Sequence, residues 1–114
     1  SKVFVNFVRE NKIFSATLVR KNKKTVAVPY YKITPNGIGY ICLSKFSKGA
    51  AKEVESALKF LLIDNPKGII LDLKSNPGGL LNEAVDIVNL FIPKNILVVS
   101  TRGNNENYNF IYKT

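Results

Sequence analysis

"GIILDLKSNPGG", residues 68–79, is a short apolar run that ends at a carboxylate and breaks into a proline and two adjacent glycines. Its first part reads as a strand covered on both faces, and the Pro-Gly-Gly reads as a turn. Downstream, Leu81, Ala84, Val85, Val88 and Phe91 recur at helical steps until Pro93, and "ILVVST" (96–101) supplies a further strand. Upstream, "IGYICL" (38–43) is another continuous apolar run. Between the two runs, Ala50, Ala51, Val54, Ala57, Leu58, Leu61 and Leu62 form a helical stripe. Ser47 is placed to cap that helix, Glu55 and Lys59 to pair across one turn of it, and "DNP" (64–66) to end it. Strand, helix, strand, helix, strand with short connections predicts parallel β-α-β-α-β units with right-handed crossovers.

The leading part differs. "VFVNFV" (3–8) and "IFSATLVR" (13–20) alternate apolar with polar and are joined by "RENK", which predicts an antiparallel hairpin. "TVAVPYY" (25–31) reads as a third strand whose Pro29 assigns it to an edge or a bend. "PNG" (35–37) marks a turn. A boundary at about residues 33–36 then separates an all-β leading part from an α/β body, α/β within an α+β whole.

This order puts the glycine turn at the carboxyl end of a parallel strand and the amino end of a helix, where ligands of open α/β sheets collect. Unpaired N–H groups of a first helical turn and the helix dipole favour negative charge there, and glycine permits close approach. A phosphate, an acyl-transfer oxyanion or a merely tight turn all remain open on spacing alone. Nucleotide binding has little support, since neither G-x-G-x-x-G nor a Walker lysine is present. Asp72 is expected to hold the turn's shape by accepting its backbone hydrogen bonds, and Glu83 and Asp86 to stabilise their own helix.

Composition narrows the chemistry. The chain has 114 residues, is 46% hydrophobic and carries a formal charge of +9, as befits one globular domain that attracts anions. The basic run "RKNKK" (20–24) reads as a solvated hairpin loop; a nucleic-acid module would rest on charge alone and is not expected. With no His and one Cys, no Ser-His-Asp triad, histidine zinc site or internal disulfide is available. Cys42 reads as a small buried hydrophobe, and neither a cofactor nor a metal is implied. No apolar stretch approaches the roughly 18 residues that span a bilayer. The absence of Met and the strand-like "YNFIYKT" at 108–114 suggest an excerpt of a longer protein, cut so that a sheet edge is left open to self-association.

Two segments carry a resemblance. "GIGYICLSKFSKGAAKEVESALKFL" followed by "KGIILDLKSNPGGLLNEAVDIVNLFIPKNILVVSTRG" resembles the carboxyl-terminal processing (tail-specific) serine peptidases of bacterial envelopes and chloroplasts. It covers about residues 36–103, while residues 3–20 are similar to the last strands of the PDZ domain that precedes that family's protease core and 25–34 to the connector. The resemblance implies residues 1–34 as PDZ end and connector, and 35–114 as the first part of an incomplete Clp/crotonase-like core. It further implies a Ser-Lys dyad, apolar carboxyl-terminal tails as substrates, and a cell-envelope or periplasmic setting, with a membrane-associated parent compatible with it. Carried over by residue, the oxyanion-hole N–H falls on Gly78, supported by Gly79, with Asp72, Asn76 and Pro77 as structural neighbours. The nucleophile and base have no counterpart in this sequence, and Ser75 is not one, so the chain alone is expected to be inactive. Departures are Cys42 and Lys74, where the family often has Arg. A non-catalytic relative that only holds peptide tails is the alternative.

Overall fold

The computed structural model of the chain describes residues 1–21 and 25–114. Arg20 and Lys21 of the basic run are described; its remainder, 22–24, lies outside the described residues. Strands β1 (Lys2–Arg9) and β2 (Lys12–Val19) form the expected antiparallel hairpin, with Phe7 opposite Phe14 and their rings stacked 5.6 Å apart. Glu10 and Asn11 have φ of 51° and 58°, the left-handed pair that matches a two-residue turn to strand twist. Val3, Val5 and Phe7 share one apolar face with Phe14, Ala16 and Leu18, of which only Val5 and Ala16 are half-buried.

The third strand starts later than its apolar letters suggest. Strand β3 is Tyr30–Ile33, beyond Pro29. Val26–Val28 are not ladder residues, because the N–H groups of Ala27 and Val28 both donate to Glu53 Oε2 at 2.9 Å and Ala27 O accepts from Ser44 N–H at 2.8 Å. Ala27 and Val28 are buried in the same core as the α/β body. Within that body, β3 pairs antiparallel with β4 (Gly39–Cys42), and β4 pairs parallel with β5 (Ile69–Asp72). Helix α1 (Ala50–Leu62) makes the crossover between them. Ala50, Val54, Ala57, Leu58 and Leu61, with Ala51 half-buried beside them, bury the expected stripe against Ile41 and Leu43, whereas Leu62 at the helix end is exposed, and the Lys59–Glu55 ion pair forms at 2.6 Å on the exposed side. Such a solvent-exposed pair adds little to stability.

Three expectations need correction. Ser47 does not cap α1: the cap position is Gly49 at φ +90°, with no side-chain cap of its own, and Ser47 Oγ is buried without a hydrogen-bond partner among the described residues. Helix α2 (Leu81–Val88) is two turns long, and it buries Glu83, Val85 and Ile87 while Leu81 and Phe91 stay exposed. Its buried side includes Glu83 because that carboxylate accepts backbone N–H groups at the amino end of α1. Third, β6 (Leu97–Thr101) does not extend the parallel sheet. It pairs antiparallel with β7 (Phe110–Lys113) across a single 3-10 turn at Glu106–Tyr108, a far shorter loop to close than a crossover onto β5. The parallel part is therefore one β-α-β unit, and β5 has no outer neighbour among the described residues.

Candidate active site

The site grows from the end of β5. Tyr40 and Asp72 lie on one face of the sheet on adjacent strands, and the Tyr40 hydroxyl donates to Asp72 Oδ2. Asp72 Oδ1 accepts the Lys74 N–H at 2.8 Å, so the carboxylate ties the strand to the first residues of the turn. Hydrogen bonding to the charged form sets the direction of both titrations. The Tyr40 hydroxyl, and then the Lys74 N–H, hold the Asp72 carboxyl below its usual range, and the Tyr40 phenol is pushed up to about 12 by the carboxylate it serves.

The turn then reverses tightly. Ser75 has φ +61°, and the Asn76 N–H donates to Leu73 O at 3.0 Å. The Asn76 side chain works in two directions: Nδ2 donates to Leu43 O at 2.8 Å, and Oδ1 accepts the Gly78 N–H at 2.8 Å. Pro77 separates the two ends of that small ring. Gly78, at φ +96°, has open space where a Cβ would stand, whereas a Cβ on Gly79, at φ +151°, would lie 2.2 Å from Phe46 O. Phe46 causes that crowding by forming a parallel bridge with Gly79: its N–H donates to Gly78 O at 3.0 Å and its carbonyl accepts the Leu80 N–H at 2.8 Å. In a parallel ladder the residue between two bonded neighbours points its own N–H and C=O to the other side. The Gly79 N–H accordingly faces away from Phe46 and meets no acceptor among the described residues.

The structure thus brings Asp72, Asn76, Pro77, Gly78 and Gly79 together in one turn, with Ser75 exposed at its tip. It adds Tyr40, Phe46 and Glu83, which the sequence reading did not assign to the site. Strand parity carried a signal for Tyr40, which shares a face with Asp72; the roles of Phe46 and Glu83 depend on tertiary approach and had none. Cys42 is half-buried, not buried, and lines an apolar cleft with Tyr30, Lys32, Thr34 and Tyr40 beside Asp72. Among the described residues no cluster of three metal-ligating side chains occurs, and no helix is long and apolar enough to cross a membrane.

A polypeptide turn with an open N–H at the junction of a parallel strand and a helix suits several chemistries, and sequence comparison narrows them. The profile of peptidase family S41 matches residues 37–114. The chain belongs to peptidase family S41. This S41 chain is 45% identical over 73 residues to a carboxyl-terminal-processing protease of Synechocystis, a match covering 62% of the chain and 17% of that protein. It is 38% identical over 87 residues to the carboxy-terminal processing protease CtpA of Bacillus subtilis, covering 75% of the chain and 19% of the relative. With a carboxy-terminal-processing protease of Bartonella bacilliformis the identity is 34% over 107 residues, 90% of the chain and 24% of the relative. The S41 chain therefore spans about a fifth of the length of these relatives.

Proposed function

We propose that the chain is the first part of the protease core of a serine endopeptidase that cleaves proteins near apolar carboxyl termini, preceded by the closing strands of a PDZ domain at residues 3–20 and a connector at 25–34. The observation that carries this is the glycine turn, whose outward N–H at Gly79 meets no acceptor among the described residues, in a chain of family S41. In the sequence the oxyanion donor falls on Gly78, but in the structure that N–H is engaged by Asn76 Oδ1. The donor we assign to the tetrahedral oxyanion is therefore Gly79, with Gly78 supplying the bend. The nucleophilic Ser and the Lys that activates it come from residues outside this sequence, the Lys having its pKa lowered by burial so that it accepts the hydroxyl proton. The exposed Leu73, Leu80 and Leu81 flank the turn and offer apolar contact for the substrate tail. A cell-envelope or periplasmic setting follows the family resemblance.

The full-length protein and the 114-residue chain are to be compared with a fluorogenic peptide ending in an apolar free carboxyl terminus and with a fluorophosphonate that labels nucleophilic serines. The full-length protein is expected to cut and to be labelled, and the chain alone to do neither. A full-length protein that binds the peptide without cutting or labelling would return the tail-holding alternative.

A further inference from the structure

We propose that Glu83 is a positioning residue for the glycine turn: its carboxylate, reaching from α2 to the amino end of α1, fixes the orientation of the peptide at Gly79. Its consequence for catalysis rests on the oxyanion assignment above, while its geometry stands apart from it.

Glu83 is 8% exposed, a rare position for a carboxylate. Its Oε1 accepts the Gly49 N–H at 2.7 Å and its Oε2 the Ala51 N–H at 2.9 Å. Both donors sit where a helix leaves N–H groups unpaired, and α1 has no cap of its own to satisfy them. These two bonds, with Lys48 and Lys52 nearby, hold the Glu83 carboxyl below its usual range and keep it charged.

The segments 46–51 and 78–83 are therefore joined twice. At Phe46 they share an isolated bridge of two backbone bonds. The carboxylate attachment at Gly49 and Ala51 adds a second link beside that bridge. The Gly79 N–H shares a planar peptide with Gly78 O, which the Phe46 N–H holds at 3.0 Å, so the clamp at Glu83 sets where that N–H points by holding the Phe46 bridge in place.

Amide hydrogen exchange of the 15N-labelled chain tests this. In Glu83→Gln one carboxylate oxygen becomes an NH2 that faces a backbone N–H. The Phe46 and Leu80 amides are expected to exchange about ten- to a hundredfold faster, and the Gly79 resonance to move, while the amides of β4 and β5 keep their protection. Unchanged Phe46 and Leu80 exchange in a folded variant would reduce Glu83 to a local cap and overturn the proposal. If the variant fails to fold, an acid titration of the unaltered chain decides. Protection at Phe46 and Leu80 must then fall together with that at Gly49 and Ala51, at a pH below the ordinary Glu range and before β4 and β5 respond. Separate midpoints, or loss of all amides at once, contradict it. Both experiments read geometry, so they stand or fail whether or not the turn holds an oxyanion.

Discussion

Gly79→Ala is expected to destabilise the chain by about 3–5 kcal/mol, the range reached when backbone is forced against backbone at a strained φ. The added Cβ would stand 2.2 Å from Phe46 O and 2.7 Å from Phe46 C. Neither is the far end of a side chain that can swing away, so the Phe46 bridge has to break. Gly78→Ala is the control, for its Cβ would meet nothing within 4 Å and only the φ of +96° opposes it. That strain costs about 1–2 kcal/mol. Urea unfolding of both variants, followed by far-ultraviolet circular dichroism, should therefore separate their midpoints with Gly79→Ala far lower. Equal midpoints would mean that Phe46 does not clasp the turn.

Asn76→Ala is the second large effect, expected at about 2–3 kcal/mol because it strips partners from two backbone groups in one step. Leu43 O loses the donor at 2.8 Å and the Gly78 N–H loses its acceptor at 2.8 Å. Asn76→Asp separates the two losses. It keeps an acceptor for Gly78 but sets a carboxylate against the Leu43 carbonyl, which raises the folded-state pKa of the new acid. Stability of that variant is then fully present below the unfolded Asp pKa, where the protonated acid donates to Leu43 O, and is lost as pH rises through the folded value. Urea midpoints of Asn76→Asp should rise on acidification from pH 6 to pH 4 relative to the unaltered chain. A midpoint that falls with it would show that Asn76 Nδ2 does not hold Leu43.

What was legible in the sequence follows from how local its cause is. The hairpin at 2–19 shows in alternation and in its turn residues, and α1 shows in a stripe of which all members but the exposed Leu62 face one core. The parallel pairing of β4 with β5 follows from two apolar runs separated by that helix. The start of β3 was not legible, because the backbone of Ala27 and Val28 is taken by Glu53, a residue 25 and 26 positions away. The fate of β6 was hidden for a similar reason: its letters suit a buried parallel strand and an antiparallel partner equally, and only the nearness of β7 decides. At the site, Pro77, Gly78 and Gly79 announce a turn, but which N–H stays open depends on Asn76 folding back and on Phe46 arriving from another segment. Glu83 suits the dipole of its own helix, yet it serves the amino end of the other one.

The most direct measurement follows the glycine amides of the full-length protein, labelled with 15N-glycine, before and after reaction with a fluorophosphonate. Phosphonylation of the nucleophilic serine places a negatively polarised oxygen where the tetrahedral oxyanion would sit. The Gly79 amide proton is expected to move downfield on labelling and to become protected from exchange, while Gly78 stays with Asn76. A Gly79 resonance that does not move on complete labelling would contradict the assignment, and movement of Gly78 alone would return the donor to that residue.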